Sequence, residues 1–494
     1  MEKQNSYSHI LKYTGIFGGV QGLNILIGLV RNKLVAMILG PTGMGVVALF
    51  TSTAKLVGDA TNLGLPMSAV REISEAYESG DESRTQRLVG VFRMWSTLTS
   101  LAGMLICIAL SPLLNAWTFS FGNHILHFVY LSPVVALTTL TACEMALLKA
   151  TRRLHDIAVI SIYSVVAALV ISVPVYFFFG MSGVIPVLVF VALAQSVITL
   201  FFSLRLYPLR LSFNSSFFRE GAGLVKLGLA FVAGCVFGSA AEFSIRSYLN
   251  YVAQVEVVGL YNAAYMMIVT YAGMIFTAME TDYYPRLSAI PAEGAELNET
   301  VNKQIEVSLV LLSPMLLFFV VYMPVLLPLL FSSKFMPVLP MLQIAALSMF
   351  ARALFLPIEY ISLSRADSFS YLFVEFFSYA MLVVSVIVGY KYWGLIGTGV
   401  AMTLSGFAEL LMVVLFYRVK YKFSLSRRAL KIVGVQLALG VVAYGVSHVA
   451  NTFCYWSIGT LLCMASLAYS LIVIRSQTDI LDNLKQKIFN KFRR

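Results

Sequence analysis

Long uninterrupted runs of apolar residues alternate with short polar segments along almost the whole chain. A helix needs about 20 residues to cross the ~30 Å hydrocarbon core of a bilayer, and most runs reach that length. Helices satisfy their own backbone groups inside lipid, so each run is expected to be helical. The pattern predicts about fourteen spans, near residues 10–38, 43–64, 88–112, 122–148, 155–178, 182–207, 222–252, 256–279, 303–331, 339–364, 367–389, 393–418, 428–450 and 453–476.

The composition agrees with this pattern and excludes an ordinary soluble enzyme. Of 494 residues, 59% are apolar and only 12% are charged, whereas a soluble domain is roughly a quarter charged. The five cysteines form no CxxC pair and no disulfide framework, so neither redox chemistry nor structural zinc is expected. No nucleotide-binding or nucleophile motif occurs, and no cofactor is expected. The sequence therefore predicts an all-α, polytopic membrane protein.

Basic residues are concentrated after every second predicted helix. Groups such as Lys149, Arg152 and Arg153 would lie on one side of the membrane, while only Lys334 and Lys391 would lie on the other. Because cytoplasmic loops carry the excess of Lys and Arg, both termini are predicted to be cytoplasmic. The net charge of +11 then faces anionic lipid headgroups, so nucleic-acid binding is not expected. In the polar loop from Ala69, we predict a short amphipathic surface helix and a turn at Gly80-Asp81.

Two segments indicate an internal repeat. RNKLVAMILGPTGMG starts at Arg31 and RSYLNYVAQVEVVG at Arg246, and in each the basic residue precedes a glycine (Gly45 or Gly259) by 14 or 13 positions. The two long polar loops also fall at equivalent places. We therefore predict two six-helix lobes in a parallel repeat, over residues 1–220 and 221–422. Residues 423–494 would add two C-terminal helices and a basic cytoplasmic tail.

Ionisable residues inside the apolar runs are the candidate functional residues. The basic ones are Arg31, Lys33, Lys55, Arg246 and Arg352; the acidic ones are Asp59, Glu242, Glu359 and Glu375, with Glu409 less deep. A basic side chain at the centre of a membrane helix costs ~2.5–3.5 kcal/mol on the insertion scale. Each of these residues therefore needs either a partner or a water-filled cavity.

Two interpretations of these charges remain open. In the structural one, Lys55 pairs with Asp59 and Glu242 with Arg246, because residues four apart share a helix face. Pairing leaves the first lobe with surplus positive charge, which favours the second interpretation, an anionic substrate bound in a cavity. The carboxylates are then candidates for binding a coupling ion, H+ or Na+. His124 and His127 have no third ligand in a metal-binding pattern, so no metal site is expected.

Four segments carry a family resemblance. They are LGPTGMGVVALF from Leu39, DYYPRLSAI from Asp282, LLFSSKFMPVLPMLQIAAL from Leu329 and LSRADSFSYLFVEF from Leu363. Together they resemble the bacterial polysaccharide transporters, which include O-antigen and enterobacterial common antigen lipid III flippases of the multidrug/oligosaccharidyl-lipid/polysaccharide (MOP) superfamily. The resemblance implies an inner-membrane protein whose two lobes surround a central cavity that opens alternately to each side.

The resemblance also implies a substrate and a binding site. The substrate would be a glycan linked through pyrophosphate to undecaprenol, with membrane lipids and the polysaccharide polymerase machinery as further candidate partners. Lys33, Arg246 and Arg352 stand in matching segments where the family places basic cavity residues, whereas Arg31 and Lys55 are added by the charge distribution. The five basic residues are the predicted substrate-binding set.

Three functions compete at this point. A flippase of undecaprenyl-pyrophosphate-linked oligosaccharide is the leading hypothesis. A cation-coupled multidrug exporter of the same superfamily would need an acidic cavity, whereas the first lobe is basic. A membrane glycosyltransferase or polymerase would need a catalytic group on a large periplasmic loop, and these loops are short. A protein without enzymatic activity is therefore expected.

Overall fold

The computed structural model describes residues 2–119, 122–208, 215–273, 276, 283–291 and 294–476. Within these ranges the chain is almost entirely helical and contains no β-strand, as the apolar runs predict. The predicted basic tail at 477–494 and Asp282 lie outside the described residues.

Fifteen α-helices, numbered in chain order, occur in the described part of the chain. They are α1 (Glu2–Thr61), α2 (Leu65–Glu78), α3 (Glu82–Ala109), α4 (Ser111–Thr118), α5 (Ile125–Ala150), α6 (Leu154–Phe179), α7 (Val184–Leu206), α8 (Ser215–Val252), α9 (Val255–Tyr265), α10 (Ala295–Leu330), α11 (Leu339–Ala345), α12 (Ser348–Ser364), α13 (Ser368–Tyr421), α14 (Arg427–Val446) and α15 (Thr452–Arg475). A π-helix, Met266–Ala272, extends α9, and short 3-10 segments precede α7 and α11.

Length and composition single out nine stretches of the described residues that can cross a bilayer, or ten if the pair α11–α12, bent by 51°, forms one span. Three of the nine, Gly22–Thr61, Leu154–Leu206 and Ser368–Tyr421, are 40 to 54 residues long. A single span takes about 20 residues, and each stretch is broken by a glycine outside the helical region, so each holds two spans. With the 38-residue α8, the described helices accommodate the predicted fourteen spans.

The chain divides into two compact units. Unit 1 runs up to Leu260 and also includes Leu329–Lys334, whereas unit 2 comprises Tyr261–Pro328 and the chain from Phe335 onward. The division falls at 260 rather than at the predicted lobe boundary of 220, because α8 packs along α1 and α2. The two lobes of the sequence repeat stay a prediction.

Two glycine turns have the same form in the two halves of the sequence. Gly180 begins a G-x-x-G turn between α6 and α7 with φ +52° and ψ −128°. Gly394 begins a second G-x-x-G turn inside α13 with φ +58° and ψ −142°. Only glycine adopts this backbone conformation readily. Each glycine thus allows the chain to end one span and begin the next within a few residues.

Gly45 on α1 and Gly259 on α9 lie directly against each other. A Cβ atom on Gly45 would overlap the carbonyl oxygen of Val255, and one on Gly259 would overlap the carbonyl oxygen of Pro41. Small residues let helix backbones approach this closely, which is how helices associate where water provides no driving force. The two glycines that mark the repeat in the sequence are therefore in contact through their backbones.

Arg93 on α3 and Glu144 on α5 form a fully buried ion pair, each only 2% exposed. The Arg93 guanidinium donates to both carboxylate oxygens of Glu144, at 2.9 and 3.1 Å, and to the Tyr207 carbonyl at the end of α7, at 2.6 Å. It also donates to the Ser203 hydroxyl at 2.9 Å, and that hydroxyl donates to Glu144. One side chain thus joins three helices and satisfies a helix-terminal carbonyl that would otherwise lack a partner.

One polar connection forms the structure that the sequence predicts there. Helix α2 is the amphipathic surface helix expected after Ala69, and Gly80 adopts φ +73° in the predicted turn. Asp367, in the connection between α12 and α13, caps α13 and pairs with Lys420 at 2.5 Å. Partial burial works to raise the pKa of Asp367, but hydrogen bonds from Lys420 and Tyr421 hold that pKa well below its usual range.

Helices α14 and α15 pack on each other through a buried amide. Gln436 on α14 accepts from the Ser466 hydroxyl at 2.6 Å and donates to the Ser470 hydroxyl at 3.0 Å. Helix α15 also packs on α10, where the Tyr322 hydroxyl lies 3.0 Å from that of Thr460. The last two spans are therefore an integral part of unit 2.

Replacing Arg93 by Met is expected to lower the free energy of unfolding by about 3–5 kcal/mol, because it leaves the Glu144 carboxylate buried without its partner. Arg152→Met is the matched control, since its ion pair with Glu78 is exposed and such pairs contribute about 0–1 kcal/mol. Thermal unfolding of both purified variants in detergent measures the difference. Equal losses of stability in the two variants would show that burial does not increase the contribution of the Arg93–Glu144 pair.

Gly45→Ala is expected to destabilise the protein by about 1–3 kcal/mol, the usual cost of forcing an extra methyl group into a packed site. Gly434→Ala provides the control, because open space surrounds Gly434 on α14 and alanine favours a helix over glycine. The same thermal assay should show a lower midpoint for the first variant and an unchanged or higher one for the second. An unchanged midpoint for Gly45→Ala would mean that α1 and α9 can separate without cost.

Candidate functional site

Three of the predicted ionisable residues meet in unit 1. Lys55 on α1 donates to Glu242 Oε1 on α8 at 2.9 Å, and Arg246 Nη1 donates to Glu242 Oε2, also at 2.9 Å. Arg246 is buried, Glu242 is partly exposed, and the Lys55 side chain is 49% exposed. One carboxylate therefore holds two cations, and the outer cation remains open to its surroundings.

This arrangement confirms one predicted pair and changes the other. Glu242 and Arg246 interact within α8 at the i,i+4 spacing, as expected. Lys55 was expected to pair with Asp59 on its own helix, but its ion pair is with Glu242, because α1 and α8 pack side by side. Asp59 lies within electrostatic reach of Lys55 and Glu242 and interacts with the Ser239 hydroxyl. Lys55 thus lies between two carboxylates.

Arg31 and Lys33 belong to the first half of α1. Arg31 Nε donates to the Ser172 hydroxyl on α6 at 3.0 Å, and the guanidinium faces Tyr176 on the same helix. Its neighbours in the described residues are hydroxyl groups rather than carboxylates. Lys33 is half-buried. Arg31 therefore brings positive charge into the helices of unit 1 without a matching acid.

The ionisable residues inside the apolar helices of unit 2 have the opposite balance of charge. Arg352 on α12 lies 5.8 Å from the centre of the Phe276 ring. Its charge acts on three carboxylates, those of Glu359 on α12 and of Glu375 and Glu409 on α13. Among the described residues, one cation thus acts on three carboxylates, so acidic side chains outnumber basic ones in this cluster.

Two parts of this charge distribution were not predicted from the sequence. Glu409 was not among the predicted coupling residues, although it belongs to the same cluster as Glu359 and Glu375. Arg93 and Glu144 were not among the candidates either, and their isolated charges in apolar runs were the available signal. In both cases the interacting residues lie on different spans, so their spacing along the chain does not reveal the contact.

The two units differ in the ligands that they can hold. The cations of unit 1 can bind phosphate oxygens, arginine through paired N–H groups and lysine as a mobile point charge. Among the residues that the structure describes, no group of three or more His, Cys, Asp or Glu side chains could hold a metal ion. Arg31, Lys33, Lys55 and Arg246 are the predicted substrate-binding cations of unit 1, and their role stays a prediction.

Comparisons with solved structures identify the fold. The chain is similar to an inward-facing MATE-family multidrug resistance transporter of the MOP superfamily, with a TM-score of 0.66 and 13% identity over 81% of this chain and 94% of the other. It is also similar to the lipid II flippase MurJ in an inward closed conformation, with a TM-score of 0.65 and 14% identity over 93% and 99%. A Vibrio cholerae MATE transporter in its bent form matches with a TM-score of 0.56, 13% identity and coverages of 87% and 99%.

The sequence itself identifies the family. No curated protein matches the chain significantly. The family described as polysaccharide biosynthesis protein matches residues 10–290, which is more than half of the chain. This match, with the fold of the solved structures, confirms the relationship predicted from the four sequence segments. The protein is thus a multi-pass membrane protein whose fold is similar to those of MATE transporters and MurJ, and it belongs to the polysaccharide biosynthesis protein family.

Proposed function

We propose that the protein is a flippase that moves undecaprenyl-pyrophosphate-linked oligosaccharide from the cytoplasmic to the periplasmic leaflet of the bacterial inner membrane. Both termini are cytoplasmic in this proposal, and transport occurs by alternating access. A glycan pyrophosphate cannot cross ~30 Å of hydrocarbon unaided, because its charged and polar groups would lose their hydration. The substrate therefore needs a polar path with cations for the pyrophosphate.

The observation that carries the proposal is the grouping of Lys55, Glu242 and Arg246. Glu242 accepts one bond from each cation, so either cation alone keeps the carboxylate paired. The exposed lysine can therefore leave Glu242 for a phosphate without stranding a buried charge. We assign the pyrophosphate to Lys55 and Arg246 of unit 1. Arg31, Lys33 and Arg352 stay further candidate substrate-binding residues.

The acidic cluster of unit 2 supports a second candidate function, a cation-coupled multidrug exporter. Glu359, Glu375 and Glu409 around a single arginine would suit a cationic drug as well as a coupling ion. The cations of unit 1 favour the flippase, because they suit an anionic rather than a cationic substrate. No specific observation at this site favours an enzymatic role as a glycosyltransferase or polymerase.

Deletion of the gene is expected to cause one undecaprenyl-linked glycan to accumulate in the cytoplasmic leaflet. Mass spectrometry of the extracted lipids would identify this glycan. Lys55→Ala and Arg246→Ala should each leave the amount of membrane protein unchanged and fail to restore surface glycan. Lys391→Ala, at an exposed position and predicted to be periplasmic, should restore it fully.

The double variant Lys55→Ala/Arg246→Ala should also lose protein, because Glu242 would then lack both partners, and adding Glu242→Gln should recover the protein but not transport. If Lys55→Ala or Arg246→Ala alone lowered the amount of protein in the membrane, the ion pairs with Glu242 would be structural and the proposed binding site would be wrong. If deletion raised sensitivity to cationic drugs without any lipid-linked glycan accumulating, the exporter would replace the flippase.

For coupling we propose Asp59, which lies beside the anion site. Lys55 and Glu242 are the charged groups that act on it, and Ser239 supplies a hydroxyl. A neutral, protonated Asp59 leaves Lys55 with more net positive charge for the pyrophosphate, whereas the ionised form competes with the substrate. Glu242 is instead a fixed counter-ion for two cations. Glu359 and Glu375 are the alternative coupling residues in unit 2.

Asp59→Asn is expected to retain substrate binding and to make transport insensitive to a protonophore, because the residue is then permanently neutral. The measurement is transport of lipid-linked glycan in inverted membrane vesicles with and without a proton gradient. Glu82→Gln, on the exposed first turn of α3, is the control and should behave as wild type. If Asp59→Asn kept full gradient dependence while Glu359→Gln or Glu375→Gln lost it, coupling would belong to unit 2.

A further inference from the structure

One face of α8 carries polar side chains along an otherwise largely apolar helix. Glu242, Arg246 and Asn250 follow one another at intervals of four residues, and Ser239 comes three residues before Glu242. Because residues three or four apart share a helix face, these four side chains form one polar stripe. At a rise of ~1.5 Å per residue, the polar stripe is about 16 Å long. It runs from the surroundings of Asp59 toward the C-terminal end of α8.

The C-terminal end of the polar stripe is buried and holds helix α4. Asn250 is 0% exposed, and its Nδ2 donates to the carbonyl oxygen of Thr118, the last residue of α4, at 2.7 Å. The Thr118 hydroxyl lies 3.5 Å from that of Thr53 on α1. The end of α4 is therefore fastened to both α1 and α8, and its last carbonyl has a partner that its own helix cannot supply.

Two polar groups at this buried end have no hydrogen-bond partner in the part of the chain that the structure describes. They are the Asn250 Oδ1 atom and the hydroxyl of Ser247, three residues earlier on α8. Leaving a buried polar group without a partner is costly, and ordered water satisfies such groups in native proteins. The buried end of the polar stripe therefore provides bonding groups for water directly beside α4.

Exposure decreases along the polar stripe toward α4. The Lys55 side chain, which bonds to Glu242, is 49% exposed, and the Glu242 side chain is 21% exposed. The Arg246 side chain is 8% exposed, and Asn250 is completely buried. The charged residues are therefore accessible from the side of Lys55 and closed at the side of α4.

Helix α4 has the dimensions of a cover rather than of a span. Its eight residues, Ser111–Thr118, are about 12 Å long, too short to cross the hydrocarbon core. Leu114 and Thr118 are buried, whereas Leu113 and Trp117 are 40% and 56% exposed. Tryptophan favours the interface between bilayer and water, so one face of α4 packs on unit 1 and the other suits that interface. Because the third predicted span leads into α4, the predicted topology places α4 on the periplasmic side.

We propose that α4 is a periplasmic gate of unit 1. In the open state the bond from Asn250 to Thr118 is broken, α4 moves away, and periplasmic water enters along the polar stripe to Asp59. In the closed state, which the structure shows, Asp59 meets water from the side of Lys55. A proton taken up on one side can then be released on the other, as alternating access requires. The inference rests on the proposed function for the role of Asp59, whereas the gate itself does not depend on which molecule is carried.

The test measures how fast a cysteine beside Asn250 reacts with a membrane-impermeant methanethiosulfonate added to spheroplasts. The reporter is Ser247→Cys in the full-length protein, and peptide mass spectrometry quantifies its modification while the native cysteines stay in place. Adding Asn250→Leu keeps a similar side-chain volume but removes the bond to Thr118. This variant should raise the reaction rate about fivefold, the usual effect of losing one hydrogen bond.

Gln343→Leu is the matched control and should leave the rate unchanged. Gln343 is also a buried amide that donates to a helix carbonyl, that of Val320, but it lies in unit 2. Size-exclusion chromatography confirms that each variant is folded. Equal rates with and without Asn250→Leu would overturn the gate. Modification of the reporter in inverted vesicles but not in spheroplasts would also overturn it, because the path would then open to the cytoplasm.

A transport measurement separates the gate from the proposed function. Thr53→Cys/Thr118→Cys replaces two hydroxyls that lie 3.5 Å apart, so an oxidant should fasten α4 by a disulfide and stop transport until a reductant is added. Unchanged transport with α4 fastened would show that α4 is not a gate. If labelling and fastening behaved as expected while Asp59→Asn kept full gradient dependence, the gate would stand and the proposed coupling by Asp59 would be wrong.

Discussion

The backbone contact between Gly45 and Gly259 determines how unit 1 can be assembled. In lipid, helices gain nothing from burying apolar side chains against one another, so close approach of backbones has to provide the attraction. This approach holds the second half of α1 against the start of α9. Helix α8, which directly precedes α9 in the sequence, packs alongside α1. Lys55, ten residues after Gly45, reaches Glu242 because the helices are aligned in this way. The charged site thus depends on two residues that have no side chain.

The ionisable residues inside the apolar helices differ between the two units and give each a different chemistry. Unit 1 has Arg31 against hydroxyl groups and two further cations on one carboxylate, whereas unit 2 has three carboxylates around Arg352. Buried charges of this kind lower stability unless every member is paired. Their presence inside apolar helices therefore points to function rather than to folding. Arg93 and Glu144 show the contrast, since that pair is complete and closed to solvent.

Much of the fold follows from the sequence, because each span needs a long apolar run and each turn needs particular residues. The runs predicted the helices, and Gly80-Asp81 predicted the turn after α2. The arrangement of the candidate site was harder to predict from the sequence. The Glu242–Arg246 pair could be predicted because four residues on one helix share a face, but the bond from Lys55 to Glu242 joins residues 187 positions apart. Contacts between helices depend on packing that one sequence does not encode in any local pattern, and the same holds for Glu409 and Arg93.

The amide of Gln436 has a consequence for the order in which the chain enters the membrane. Its partners, Ser466 and Ser470, come 30 and 34 residues later in the sequence. At a synthesis rate of about 5–20 residues per second, these partners leave the ribosome roughly 2–7 s after Gln436 does. During that interval α14 would carry an unsatisfied polar group into hydrocarbon, which costs several kcal/mol. Helix α14 is therefore best inserted together with α15, as a hairpin that is held at the translocon until its second half has been made.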